Sequence, residues 1–183
     1  MIMEERAMKI VEACLKEMSK NPIEIFRKIS QMDFVRMHGP EHHILDGGAL
    51  LTAFNNAGGN IDLEKSLEEL MSRGMKMPAG MCGMWGVCGA VTSIGAALSI
   101  IAKANPDKIA EPWGTNMECT SKAVASIGEV GGPRCCKRNG YLSFIEAIKF
   151  VNKYYDVSLE YGEIKCIHSQ INMQCIKERC PFY

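Results

Sequence analysis

From Met77 to Ala102 the chain carries no charged residue, and this restricts the folds open to it. Such a run belongs either in a bilayer or in a protein interior. Pro78, Gly80, Gly83 and Gly86 break its first third. What remains, 87–102, is 16 residues, short of the ~20 needed to span the hydrocarbon core. The sequence therefore predicts a Gly-rich loop over 78–86 and a buried helix over 87–104, ended by Asn105-Pro106. Gly89, Ser93 and Ala97, with Gly95 and Ser99 offset, leave little side-chain bulk. Neighbouring helices can then approach closely, which places this helix at the centre of a bundle.

The rest of the chain supplies helices to surround it. Residues 4–19 put Ile10, Val11, Cys14, Leu15 and Met18 on one face. Asn21-Pro22 caps a second, short helix running to about Gln31. A third is expected from Pro40 to Ala57, and a fourth from an Asp62 cap to Gly74. Residues 116–129 and 142–155 complete the set. In the tail, Val157 to Tyr161 and Ile164 to Ile167 alternate weakly, as a short hairpin around Gly162 would. The expected fold class is mostly α: one compact domain over 1–183, made of a helical bundle (1–155) and an irregular or β-containing cysteine-rich tail (156–183) packed on it.

Lys plus Arg and Asp plus Glu each number 21, so no general attraction to nucleic acid or an anionic membrane is expected. The opening Met-Ile-Met-Glu-Glu-Arg has no basic-then-apolar export pattern, which predicts a cytoplasmic protein. Nine cysteines, an odd count with one adjacent pair, do not read as a disulfide framework in that compartment. Metal binding or thiol chemistry is the expectation.

Two segments echo each other: Gly39-Pro40-Glu41-His42-His43-Ile44-Leu45-Asp46-Gly47 and Gly132-Pro133-Arg134-Cys135-Cys136-Lys137-Arg138-Asn139-Gly140. A histidine pair and a cysteine pair occupy the same slot after Gly-Pro, a helix-start signal. Each pair is expected in a first helical turn, near unpaired N–H groups and the positive end of the helix dipole. Arg134, Lys137 and Arg138 add charge that would lower the thiol pKa values of Cys135 and Cys136. His42 and His43 point about 100° apart on a helix, so one is expected to face a site and the other to bond structurally.

Cys82 and Cys88 flank a turn whose Gly83 and Gly86 keep the backbone open, with Trp85 between them as a shield from water. Cys166, Cys175 and Cys180-Pro181 resemble the closing part of a ligand set, Pro after a cluster cysteine being a ferredoxin-type feature. There is no Cys-x-x-Cys, which weighs against a zinc knuckle and thioredoxin-like chemistry. Cys14, on an apolar face, is expected to be a buried structural thiol, and Cys119 stands apart.

These blocks are specific. His38 to His43, Cys82 to Ala90, Gly131 to Arg138 and Cys166 to Phe182 together resemble a family of prokaryotic proteins met in anaerobes and methanogens and carrying a domain of unknown function. Some relatives seat a methyltransferase-like domain beside it, which implies a methyltransferase-type partner here. A looser similarity runs to small helical redox proteins with a Cys-Gly-Cys-Ala-x-x-Gly-Cys-Cys motif, through Cys88-Gly89-Ala90 and Cys135-Cys136. Cys82 stands too far off to replace that motif's first cysteine, so this second likeness is analogy.

The expectation is a metalloprotein holding an iron–sulfur cluster, of four-iron type, in redox or in sulfur or one-carbon transfer. Its ligand pool is Cys82, Cys88, Cys135, Cys136, Cys166, Cys175 and Cys180, with Gly83, Trp85, Gly86 and Gly132 around the cofactor. His42 or His43 would act as acid–base, Arg134 as anion anchor and Cys135 as a possible nucleophile. The partner would be a small-molecule substrate or a redox protein. Two alternatives stand beside it: a zinc-stapled interaction module, and a metal-free thiol enzyme using Cys135 with His42 as base.

Overall fold

A computed structural model describes residues 1–104 and 112–183; the expected stop at Asn105-Pro106 lies outside them. Helix α1 (Met3–Lys16) opens on Glu4 and Glu5 and buries Ala7, Ile10 and Cys14 on one stripe. In α2 (Pro22–Ile29) the Asn21 side chain accepts from the Ile23 and Glu24 amides at 3.0 and 3.3 Å, and Pro22 takes the first helical position. Asp62 caps α4 (Leu63–Met75) by accepting from Lys65 N.

The centre of the bundle is α3 (His42–Asn56), and not the uncharged helix. Every residue from His42 to Phe54 is buried, and α3 packs against α1, α2, α4, α6 and α8. Small residues make this possible. A Cβ on Gly47 would stand 2.5 Å from the Ser93 carbonyl oxygen of α6, and one on Gly48 would stand 3.1 Å from Cys14 Sγ of α1. The Gly47 amide also donates to Ser93 Oγ at 2.8 Å. The uncharged segment forms a one-turn α5 (Met81–Met84) and then α6 (Gly89–Ile101), which meets α3, α4, α7 and α8. Its small residues serve close contact, as expected, but on the flank of α3. No helix among the described residues is long and apolar enough to cross a membrane.

Helix α7 (Pro112–Val130) leads into α8 (Cys136–Tyr154). This last helix starts at the cysteine pair, as the Gly132-Pro133 signal predicts, and runs unbroken through Asn139-Gly140 into the segment expected from Leu142. A Cβ on Gly140 would stand 3.1 Å from the Phe26 ring and 3.2 Å from Asp46 Oδ2. The glycine lets α8 close on α2 and α3.

The tail after Tyr155 is irregular apart from a 3-10 turn at Lys177–Arg179. The predicted hairpin does not form among the described residues. Leu159 is buried, and both of its backbone groups bond the Asn152 side chain of α8, at 2.8 and 2.9 Å. A side-chain amide thus satisfies what a partner strand would have satisfied. Further on, Cys166 N donates to Phe182 O at 2.7 Å, and the Phe182 ring packs edge-on to Tyr141.

Candidate functional site

The seven pooled cysteines fall into two groups. Cys135, Cys166, Cys175 and Cys180 line one pocket with Tyr141 and His168. Cys82, Cys88 and Cys136 line another with His38, His42, His43 and Arg134. The division runs through the Cys135–Cys136 peptide. Cys135 is the N-cap of α8 in extended conformation (φ −145°, ψ 106°), whereas Cys136 is the first helical residue. That change of backbone conformation sends the two side chains to different sides of the helix start.

In the first pocket each sulfur receives a backbone N–H. Cys135 Sγ accepts from Arg138 N at 3.4 Å, and also from Asn172 Nδ2 at 3.5 Å. Cys166 Sγ accepts from His168 N and Cys175 Sγ from Lys177 N, both at 3.4 Å. Cys180 accepts from the Phe182 amide. In the tail the donor is always two residues beyond the sulfur. Tyr141 is fully buried beside these thiols, and its hydroxyl has no partner. Burial, with Cys166 nearby, pushes its phenol up. Burial also raises the thiols of Cys166 and Cys180. The space between the four amounts to about 20 Å³, room for a water-sized sphere. A larger group would require the tail to draw back from α8.

The second pocket, about 220 Å³, is built on the echoing segments, which meet in the fold. Lys137 Nζ lies 3.0 Å from His42 Nε2 and donates to the carbonyls of Ser30 and Arg36. His42 Nδ1 lies 3.1 Å from Asp46 Oδ1, one turn along α3. All three side chains are buried. The network assigns His42 as the neutral Nδ1–H form, donating to Asp46 and accepting from Lys137. Burial, then Lys137, holds His42 well below its usual pKa. Burial brings Lys137 down to about 8 and pushes Asp46 well up. His42 is therefore the structural member of the histidine pair.

His43 lines the same pocket with its Nδ1 unpartnered, its ring lying where a Cβ on Gly89 would be. His38 lines it too, with Nδ1 unpartnered and Nε2 3.0 Å from Asn172 Oδ1. Asn172 thus lines the first pocket and bonds a residue of the second. Asn139, through Nδ2, donates to Cys88 Sγ at 3.3 Å.

The expected lowering of the thiol pKa values by neighbouring cations does not occur at Cys136. Burial pushes this thiol up to about 12, and Asp46, Cys88 and Cys135 add to the rise against a bond from the Gly39 backbone. The cations face elsewhere. Lys137 turns to His42, and Arg138 Nη2 donates to the carbonyls of Gly131 and Pro133 at 2.7 and 3.0 Å. Arg134 is exposed on the rim of the second pocket. Trp85 is 63% exposed and lines none of these spaces, so the expected shield is not formed. Gly83, Gly86 and Gly132 line a third space beside Cys82 and Cys88. Cys135 and His42, the proposed nucleophile and base, line different pockets. Cys14 and Cys119 are buried, and burial pushes both up to about 12.

Tyr141, Asn139 and Asn172 escaped the sequence reading, as did the role of Asp46. Asp46 was within reach, lying at i+4 from His42 on one helix face. Asn172 carries no such signal. Among the described residues no three His, Cys, Asp or Glu side chains are gathered closely enough to hold a single metal ion.

The chain belongs to the family of unknown function DUF5714, whose model matches residues 10–183. No curated protein and no solved structure matches it.

Proposed function

We propose that this member of the family is a cytoplasmic redox protein that holds an iron–sulfur cluster of four-iron type on Cys135, Cys166, Cys175 and Cys180. One observation carries the reading: four thiols line one pocket, and each accepts a backbone N–H. Cluster sulfurs are held in this way, and such bonds tune the potential. The donor set fits the group in a second respect. The Tyr141 hydroxyl, buried and unpartnered, supplies a further donor at the pocket wall. Seating the cluster would require the tail to draw back from α8, since the space between the four thiols is about 20 Å³.

The cluster, when bound, supplies one-electron transfer. The chain's own residues do the rest. Arg138 N, His168 N, Lys177 N and the Phe182 amide donate to the four sulfurs, and Asn172 gives Cys135 a second bond. The Phe182 ring packs edge-on against Tyr141, and both line the pocket. Cys82, Cys88 and Cys136 stay outside this set as free thiols in the adjoining pocket, where a substrate meets His38 and His43. Nine free cysteines suit a reducing compartment.

Anaerobic purification tests the reading. Broad visible absorbance with about four iron and four sulfide per chain is the expected result. Colourless protein carrying one zinc per chain would overturn it.

A further inference from the structure

The second pocket opens into a trough of about 430 Å³; Gly80, Cys82, Cys88 and Arg134 line both. Glycines dominate the trough wall, and a Cβ on Gly83, Gly128 or Gly132 would meet nothing within 4 Å. None of these three has the positive φ that favours glycine, in contrast to Gly80, Gly86 and Gly131. Gly128 sits inside α7, where glycine costs about 1 kcal/mol against alanine. Neither packing nor backbone geometry requires it. What its missing side chain provides is room in the trough.

The charge lining this space has one sign. No Asp or Glu lines the pocket or the trough. Arg36, on the pocket rim, is paired with Glu41 at 2.6 Å, and Arg138 is tied to backbone carbonyls. Arg134 lines both spaces and makes no hydrogen bond or ion pair among the described residues. Two thiols face it: Cys82, half-buried, and Cys88, held by Asn139. We infer that the trough takes a small anionic organic disulfide, with its anionic group on Arg134 and its sulfur–sulfur bond against Cys82.

The chemistry is thiol–disulfide exchange. Cys82 loses its proton and attacks one substrate sulfur. The substrate bond breaks, and the first thiolate leaves and takes up that proton. Cys88, losing its own proton, then attacks the Cys82 sulfur of the mixed disulfide and releases the second thiol. The products are two small thiols and a Cys82–Cys88 disulfide. Reopening that disulfide takes a small dithiol, which returns Cys82 and Cys88 to thiols and leaves as its own disulfide. The exchange does not depend on the proposed cluster.

The test uses the full chain, purified anaerobically with iron and sulfide measured. It is offered dithiodiglycolate (anionic), bis(hydroxyethyl) disulfide (neutral) and cystamine (cationic). Mixed-disulfide formation at Cys82 is followed by mass spectrometry, each rate being divided by that of the same reagent with N-acetylcysteine. The anionic reagent should react up to about fivefold faster than the neutral one, the range an exposed ion pair supplies, and cystamine slowest. The exposed Arg134→Gln should level the three rates, and high salt should shrink the advantage. Equal normalised rates in the unaltered protein, or an anionic preference that survives Arg134→Gln, would overturn the inference. Iron without the preference sinks the trough and leaves the cluster standing; the preference without iron does the reverse.

Discussion

Cys135 and Cys136 share a peptide bond and line different pockets. The N-cap of α8 is the boundary between a four-thiol pocket and a three-thiol pocket.

The division makes the cysteines separable by mutation. Cys175→Ser or Cys180→Ser should remove most of the bound iron and the visible absorbance, and Cys135→Ser should do the same. Cys136→Ser and Cys88→Ser should keep iron within about a tenth of the unaltered level, because neither sulfur reaches the first pocket. Iron and sulfide analysis decides. Loss of colour in Cys136→Ser would place that residue among the ligands.

Lys137 is 1% exposed and held by His42 and two carbonyls. Lys137→Met should lower stability by about 3 kcal/mol, since it strands Asp46 and His42 in the core. Adding Asp46→Asn should recover part of that loss, because the buried charge is then gone. Urea titration of the two single variants and the double variant measures the coupling. Simple additivity would mean that the three groups do not act as one network.

All four histidines have pKa values below 6.5 in the fold, chiefly through burial, His168 being brought down to about 4. The unfolded chain therefore binds more protons than the folded one below pH 6.5. The stability these groups contribute is complete above pH 6.5 and is lost as pH falls towards their folded values. Asp46, shifted upward, works in the opposite direction for one proton. His168 by itself, titrating near 4 in the fold, should contribute up to about 1.4 kcal/mol per pH unit near pH 5. His168→Gln should remove about one proton's share of the slope, seen in urea midpoints between pH 7 and 5. An unchanged slope would show that His168 titrates normally.

Gly47→Ala would force a methyl into the Ser93 carbonyl of α6 and should cost about 2–3 kcal/mol. Gly128→Ala meets only open space and should raise stability by up to about 1 kcal/mol. Thermal unfolding of both separates glycine kept for packing from glycine kept for room. A neutral Gly47→Ala would mean that α3 and α6 can part without cost.

Much of this was legible in the residues. The caps at Asn21 and Asp62 and the apolar stripes fixed α1, α2 and α4 within a few positions. The central helix was misplaced because the absence of charge and the small side chains of 87–104 pointed to that segment, whereas α3 buries His42 and Asp46 through bonds to one another and to Lys137, remote in sequence. The Gly132-Pro133 signal placed the cysteine pair at the start of α8, but the break expected at Asn139-Gly140 does not occur, Gly140 being a contact glycine whose partners are remote in sequence. The cysteine pool was readable, but its division was not. That division depends on the backbone turning helical between two adjacent residues, and on a tail whose position is set by Asn152 and by Phe182 on Tyr141.

Asn172 accepts from Gln174 N at 3.0 Å and meets His38 through the same oxygen, which leaves its amide nitrogen directed at Cys135. A ligand that draws His38 away from this oxygen also disturbs the bond to the sulfur. Filling one pocket would then change the hydrogen bonding of Cys135 in the other. Linkage requires the converse: a group bound at the thiol side that altered this bond would change how tightly the histidine side holds its ligand, by the same free energy. One asparagine would let each pocket sense the state of its neighbour.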